Sequence, residues 1–166
     1  YGMHFHYSPE DPILEAGGGI KKAQPFLDGE TFLVINCDTI LDLDLAAVLA
    51  AHQTTQAVAT LVLRPDPEAA RYGLLEIDAE GRIRRIRGQP EEAPLPLSSY
   101  MFTGAQILEP RVFDFMPEVK PFSTTRGTYP HMIQAGEHLH GFVHTGPWMV
   151  VDNETDVMQA TQLLLS

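Results

Sequence analysis

The stretch Phe32-Leu33-Val34-Ile35-Asn36-Cys37-Asp38 decides the fold of this 166-residue chain. Its first five residues are apolar or small and include β-branched Val34 and Ile35, which predicts a fully buried strand over residues 32–36. Asp38 follows the strand, and the glycine-rich run Leu14-Glu15-Ala16-Gly17-Gly18-Gly19-Ile20 precedes it. Open α/β sheets build metal and phosphate sites from a glycine loop and a carboxylate at the end of a buried strand. We therefore expect a ligand site at Asp38, with the carboxylate holding a divalent cation against phosphate oxygens.

The segments after Asp38 have the pattern of a βαβ unit. Asp42 and Asp44 precede apolar residues at helical spacing, which predicts a helix with an acidic start. Residues 57–63 are a second apolar run, so strand, helix and strand follow in order and predict parallel pairing of 32–36 with 57–63. Residues 73–87 predict an antiparallel hairpin, whose arginine-rich second arm is best interpreted as a charged edge strand.

The rest of the chain alternates between strand and helix patterns. We expect strands at 98–108, 139–144 and 150–151, short helices at 110–116 and 129–135, and a terminal helix over 154–165. The predicted fold is therefore a single α/β domain over residues 1–166. Its architecture is a three-layer sandwich with a mostly parallel sheet and one antiparallel hairpin.

Charge and cysteine content narrow the partners and the compartment. The chain has 11 Lys and Arg against 22 Asp and Glu, a formal net charge of −11. Such a surface repels nucleic acid and anionic membranes, so neither is expected as a partner. No apolar run reaches the roughly 18 residues of a membrane-spanning helix. Cys37 is the only cysteine, which predicts a buried structural thiol in a cytoplasmic protein without internal disulfides.

Histidine and nucleophile sites are weaker alternatives. The pairs His4 and His6, and His138 and His140, have a spacing that places both side chains on one face of a strand, as metal chelation requires. No carboxylate pattern accompanies them. A Cys37-centred or histidine-centred enzyme stays open as a hypothesis, although no triad spacing supports it.

Several motifs taken together resemble the sugar-1-phosphate nucleotidyltransferases, and the mannose-1-phosphate guanylyltransferase and N-acetylmuramate-1-phosphate uridylyltransferase type in particular. The similarity runs in order along nearly the whole chain. It is carried by Leu14 to Ala23, Phe32 to Asp38, Asp42 to Leu45, Tyr72 to Leu74, Gly81 to Ile83, Phe102 to Leu108, Pro121 to Ser123 and Gly141 to Trp148.

The resemblance implies a Rossmann-like nucleotide-diphospho-sugar transferase fold and a reaction. A nucleoside triphosphate and a sugar 1-phosphate would give a nucleotide sugar and pyrophosphate, with Mg²⁺ as cofactor. It also implies the site residues by class. They are Asp38 as the catalytic metal ligand, with Asp152 as a second ligand; Glu15, Ala16, Gly17, Gly18 and Asn36 for the nucleotide; and Tyr72, Gly73, Thr103 and Gly104 for the sugar.

The sequence departs from the family pattern at three places, which leaves two functions open. The N-terminal strand and signature loop that hold the triphosphate in the family are expected to be missing, so the fold would be N-terminally truncated. Val150 stands at the second metal-ligand position, and Gly88-Gln89-Pro90 replaces a lysine-containing sugar contact. One hypothesis is therefore an incomplete or weakly active transferase, and the other a non-catalytic relative that binds a nucleotide sugar or acts as a scaffold. An exposed sheet edge would further favour a homodimer.

Overall fold

Five α-helices and eight strands position the site in the computed structural model, which describes every residue except Tyr1, Met3, Glu68 and Ser166 and the side chains of residues 71–72 and 163–165. The helices are α1 (Glu15–Leu27), α2 (Leu45–Thr55), α3 (Ala69–Tyr72), α4 (Tyr129–Gln134) and α5 (Glu154–Leu165). The strands are β1 (Phe32–Ile35), β2 (Thr39–Leu41), β3 (Ala59–Arg64), β4 (Leu75–Ile77), β5 (Ile83–Ile86), β6 (Ser98–Leu108), β7 (Leu139–Val143) and β8 (Trp148–Val150). A 3-10 helix spans Pro110–Phe115.

Strand β6 is the centre of the main sheet, and this corrects the predicted pairing. It runs antiparallel to β1, β3 and β4, while β3 pairs in parallel with β7 and β4 forms the predicted hairpin with β5. Four of the six strands described for the main sheet, β1, β3, β4 and β7, therefore share one direction. However, the direct parallel pairing expected between residues 32–36 and 57–63 is wrong, because β6 lies between them.

Strand β1 lies at an edge of the sheet, so the expectation of a fully buried strand is also wrong. Its hydrogen-bonded neighbour is β6, and no other described residue pairs with it. Phe32 is buried, but Leu33 and Ile35 are 42% and 46% exposed. An apolar sequence alone does not show whether a strand pairs on one side or on both sides. Among the described residues, β1 pairs on one side only.

Helices cover both faces of the sheet, which confirms the three-layer prediction. One face of β3 packs Leu61 and Leu63 against a cluster that includes Ile20 of α1 and Met132 of α4. The other face packs Val62 against Val48 of α2. Helix α2 begins as expected, because the Asp44 carboxylate accepts a hydrogen bond from the Ala47 amide at 3.0 Å.

The glycine-rich run forms the first turns of α1 and not the expected loop. A Cβ atom on Gly17 would come within 2.3 Å of the Phe122 ring, and one on Gly18 within 2.3 Å of the Lys120 carbonyl oxygen. The Gly17 amide donates to the Phe122 carbonyl at 3.0 Å. These glycines are therefore required by close packing of α1 on residues 120–122, at the cost of helix propensity.

Two further features bear on partners. The arginine-rich strand β5 is an edge strand as predicted, and Arg84 and Arg85 are paired with Asp78 and Glu76. Among the described residues, no helix is both long and apolar enough to cross a bilayer.

Candidate active site

Asp38 lies just beyond β1, at a pocket between the main sheet and a small sheet made of β2 and β8. The pocket has a volume of about 150 Å³. Strand β6 provides one wall and the small sheet provides the other. Its lining residues are Asn36, Asp38, Thr39, Met101, Phe102, Thr103, Gly104, Trp148 and Val150. The structure thus brings together four residues expected at the site, which are Asn36, Asp38, Thr103 and Gly104.

Gly104 lets the end of β1 approach β6 closely. Its φ of +92° falls in the region that favours glycine, although it lies inside a strand. A Cβ atom on Gly104 would come within 2.9 Å of the side-chain nitrogen of Asn36, Nδ2. The Asn36 backbone N–H donates to the Gly104 carbonyl at 3.0 Å, which fixes this approach. Since Asn36 is two residues before Asp38, this hydrogen bond also helps to set the position of the Asp38 backbone, from which the carboxylate extends.

Trp148 forms a wall of the pocket and is held by its ring nitrogen. Its Nε1 donates to the Thr103 carbonyl at 2.9 Å. The Thr103 hydroxyl is buried and donates to the Val62 carbonyl at 2.8 Å. Thr103 therefore presents its backbone to the pocket, because its hydroxyl is already used in the core.

The Asp38 carboxylate is exposed, and the backbone around it is fixed. The carboxylate accepts a hydrogen bond from the Thr39 hydroxyl at 3.4 Å, and the Asp38 backbone carbonyl accepts one from the Val151 amide at 2.8 Å. Val150 pairs with Thr39 and lines the pocket beside Asp38. Asp152 is exposed, does not line the pocket, and donates its backbone N–H to the Asp156 carboxylate at 2.9 Å.

Other expected site residues lie away from this pocket. Glu15 pairs with Arg126 at 2.8 Å, and Ala16, Gly17 and Gly18 follow it in the α1 turn that packs on residues 120–122. Gly73 has φ +95° and lies against the Arg87 side chain. The Tyr72 side chain lies outside the described residues. Cys37 is exposed, so the expectation of a buried thiol is wrong.

The donor atoms at Asp38 fit a metal ion that takes few protein ligands. Among the described residues, no three His, Cys, Asp or Glu side chains are grouped to hold an ion. Mg²⁺ is usually bound by one or two carboxylates, several waters and substrate phosphates. One exposed carboxylate beside a substrate-sized pocket is compatible with that mode of binding.

Sequence reasoning missed two residues of this region. Met101 is fully buried at the back of the pocket, and Arg64 stacks on Trp148 with its guanidinium carbon 5.1 Å from the ring centroid. Neither belongs to a local motif. Arg64 precedes Pro65 at the end of an apolar strand, and its contact with Trp148 depends on how β3 and β8 are brought together.

The profile of the family described as nucleotidyl transferase matches residues 1–166. The chain belongs to that family. Family membership accounts for the order of motifs along the chain. It also agrees with the sugar-1-phosphate nucleotidyltransferase resemblance on which the expected site residues rest.

Two curated relatives are about 30% identical to the chain over the aligned residues. A UTP–glucose-1-phosphate uridylyltransferase from Synechocystis is 29% identical over the whole chain and 46% of its own length. A mannose-1-phosphate guanyltransferase from Yarrowia lipolytica is 31% identical over the whole chain and 45% of its own length. The chain thus spans less than half the length of these curated relatives.

Solved structures of related proteins confirm the fold class. A putative glucose-1-phosphate thymidylyltransferase from Bacillus anthracis, in complex with a sucrose, superposes with a TM-score of 0.78. It is 22% identical and covers 98% of this chain and 65% of its own. HddC from Yersinia pseudotuberculosis, complexed with GMP-PN, has a TM-score of 0.71 at 23% identity, over 93% of this chain and 64% of its own. The fold is that of the nucleotide-diphospho-sugar transferases.

Proposed function

We propose that the protein acts in nucleotidyl transfer, joining a nucleoside triphosphate to a sugar 1-phosphate to give a nucleotide sugar and pyrophosphate. The observation that carries the proposal is the pocket in which Asp38 lies beside Gly104 and Trp148, in a chain of this family. The names of the relatives, which refer to glucose 1-phosphate and mannose 1-phosphate, support the substrate class.

In the proposed reaction, an oxygen of the sugar phosphate attacks the α-phosphorus in line and pyrophosphate leaves. The protein contributes mainly positioning and neutralisation of charge. Asp38 is the proposed ligand of Mg²⁺. Asp152 is proposed as a second ligand that approaches from outside the pocket, since it follows Val151, whose amide bonds to the Asp38 carbonyl. The ion, when bound, neutralises charge on the phosphate oxygens.

The substrate contacts are proposed by class. We assign Asn36 and residues 15–18 to the nucleotide, and Thr103, Gly104 and residues 72–73 to the sugar. The support differs between the two groups. Asn36, Thr103 and Gly104 line the Asp38 pocket, whereas residues 15–18 and 72–73 would have to contact substrate beyond it.

We further propose that the 166-residue chain alone turns over slowly or not at all. A pocket of about 150 Å³ is small beside the roughly 300–1,000 Å³ of typical small-molecule sites. It accommodates one part of a nucleotide sugar at most. A chain of net charge −11 is also poorly suited to bind a triphosphate without additional cations.

The assay is pyrophosphate release from GTP or UTP with mannose, glucose or N-acetylmuramate 1-phosphate. It is run on this chain and on a longer protein that contains it. In the active form, Asp38→Asn should lower kcat/KM by roughly a hundredfold to a thousandfold, since a preorganised charge is lost. Asp114→Asn, at an exposed carboxylate outside the pocket, is the matched control. Equal activity of the two variants would contradict the role of Asp38.

Val150 favours a second candidate function. It places an apolar side chain in the pocket where the family resemblance expects a metal-binding aspartate. A non-catalytic relative that binds a nucleotide sugar, or serves as a scaffold, would tolerate this residue. Calorimetric binding of a nucleotide sugar without turnover, even by the longer protein, would establish this alternative.

Two further proposals concern assembly and location. We propose a homodimer that pairs through β1, supported by the outer edge of this strand, with which no described residue pairs, and by the exposed Leu33 and Ile35. We also propose a cytoplasmic location, supported by a single cysteine that cannot form an internal disulfide.

A further inference from the structure

Arg64 and Trp148 form a stacked pair beside the Asp38 pocket. The guanidinium carbon of Arg64 lies 5.1 Å from the centroid of the indole ring, within the range of a cation–π contact. Arg64 ends β3 and Trp148 begins β8, so the contact joins the main sheet to the small sheet. Arg64 is not among the residues that line the pocket, so it contacts the indole from outside.

Hydrogen bonding at the Arg64 Nε does not explain why an arginine stands at this position. Its Nε is buried and makes no hydrogen bond. The nearest carboxylate oxygen of Asp66 is 3.6 Å from Nε, which is an ion-pair distance but too long for a hydrogen bond. A buried polar group without a hydrogen bond destabilises the fold unless another contact compensates. The indole face is that contact, because arginine is weakly hydrated and stacks well on aromatic rings.

The Trp148 side chain makes one hydrogen bond, from its ring nitrogen, and a second contact is needed to fix the orientation of its ring. The hydrogen bond from Nε1 to the Thr103 carbonyl fixes the edge of the indole but allows the ring to tilt about it. Arg64 packs on the ring face, and a planar guanidinium on that face restricts the tilt. The ring therefore becomes a fixed wall of the pocket that Gly104 also lines.

We propose that Arg64 is a positioning residue that holds the Trp148 indole as the wall of the Asp38 pocket, and that this wall sets the affinity for the sugar ring of a sugar 1-phosphate. The sugar part rests on the proposed function. The chemistry is that of pyranose binding, in which the C–H face of the ring packs against a fixed aromatic surface while its hydroxyls meet backbone groups such as the Thr103 and Gly104 peptides.

The test uses fluorescence, because Trp148 is the only tryptophan of the chain. Arg64→Met keeps the aliphatic stem and removes the charged plane. It should shift the emission of Trp148 and raise its quenching by acrylamide. Arg64→Lys, which keeps the charge, should fall between Arg64→Met and the native chain. Arg111→Met is the matched control, since Arg111 is an exposed arginine that pairs with Glu137 and lies outside the pocket. It should leave the emission unchanged.

Titration with mannose 1-phosphate and glucose 1-phosphate, followed by the same emission, tests the sugar part. Arg64→Met should raise the Kd roughly fivefold to tenfold, with partial recovery in Arg64→Lys. Thermal unfolding of each variant verifies folding, and Arg64→Lys decides the outcome if Arg64→Met does not fold.

The outcomes separate the two proposals. Native emission and native Kd in both Arg64 variants would overturn the positioning role and leave the proposed function intact. A shifted emission in Arg64→Met, together with no response of the native chain to either sugar phosphate, would overturn the sugar part and count against the proposed function at this pocket.

Discussion

At the scale of single residues, His52 is a buried titratable group outside the candidate site with a polar partner at each ring nitrogen. It is 2% exposed, with Nδ1 2.8 Å from the Thr60 hydroxyl and Nε2 2.9 Å from the Glu109 carboxylate. Thr31 also donates to Glu109, at 2.6 Å. Burial alone would raise the pKa of Glu109, but the hydrogen bonds from Thr31 and His52 and the charge on His52 outweigh it and lower the pKa. This hydrogen-bond network thus links α2, β3 and the residues next to the ends of β1 and β6.

His52→Ala should therefore lower the free energy of unfolding by about 2 to 3 kcal/mol, because the buried Thr60 hydroxyl and the Glu109 carboxylate lose a partner. Gln53→Ala, the exposed neighbour in the same helix, is the control and should change stability by less than about 0.5 kcal/mol. Urea unfolding of both variants measures the difference. Similar values for the two would show that the buried network contributes little.

His138 and His140 predict a pH dependence of stability. Burial lowers the pKa of both from the ordinary value of 6.5, assisted by the charge on Arg82 at His138 and by His138 at His140. The Asp78 charge opposes these effects. The unfolded chain therefore takes up protons near pH 6.5 that the folded chain does not. The contribution of the two neutral histidines to the free energy of unfolding is complete above pH 6.5. It is lost as the pH falls through their lowered pKa values in the folded chain.

His140→Gln should flatten this dependence, because one of the two titrating groups is removed. The free energy of unfolding is measured by urea-induced unfolding at a pH above 6.5 and again about one pH unit below 6.5. His4→Gln, at an exposed histidine, should retain the native slope. An unchanged slope in His140→Gln would contradict the assignment.

At the scale of elements, helix α1 depends on glycines for its position and not for its conformation. A Cβ atom at Gly18 would come within 2.3 Å of the backbone oxygen of Lys120 and 2.8 Å of Leu14. Gly127, in the π-helical turn Thr124–Thr128, has no neighbour within 4 Å of an added Cβ atom. The two glycines are thus a matched pair.

Gly18→Ala should destabilise the protein by about 1 to 3 kcal/mol or more, because backbone cannot move aside cheaply. Gly127→Ala should be neutral or stabilising by up to about 1 kcal/mol, since alanine restricts the unfolded chain. Thermal unfolding compares them. Equal midpoints would show that α1 can shift away from residues 120–122 without penalty.

The elements differ in how far local sequence predicts them. The bounds of α2, β6 and β7 follow almost directly from apolar periodicity and caps, which are signals within a few residues. The glycines of α1 suggested a loop, because their helix propensity is low, and the contact that requires them lies near residue 120. The predicted pairing of β1 with β3 was wrong for a similar reason. The strand that lies between them, β6, comes from later in the chain, so nothing in the local sequence indicates it. At the site, Asn36, Asp38, Thr103 and Gly104 meet as expected, whereas the Arg64 contact left no local signal.

At the scale of the whole molecule, one side of β1 pairs with no described residue. A groove of about 350 Å³ runs between β1 and α2. Leu33, Leu45 and Leu49 line it and are each between 38% and 44% exposed, and Ile35 of the same strand is 46% exposed. An unpaired strand edge beside exposed apolar side chains promotes association.

If the proposed dimer forms through this edge, Leu33→Lys should shift the chain to monomer, because a lysine on an edge strand opposes pairing. Leu95→Lys, at a leucine that is 79% exposed elsewhere, is the control. Sedimentation velocity over a range of concentrations measures the change. A native chain that stays monomeric throughout would contradict the dimer.

The two walls of the Asp38 pocket belong to different sheets, and this has a consequence for hydrogen exchange. Separation of the two walls breaks the hydrogen bond from Trp148 Nε1 to the Thr103 carbonyl, but it keeps the bond from the Val151 amide to the Asp38 carbonyl, which lies within the small sheet. The indole proton should therefore exchange with deuterium faster than the Val151 amide, at a rate set by the opening of the pocket. The protection of that one proton would give the frequency with which the pocket opens, in a chain free of any ligand.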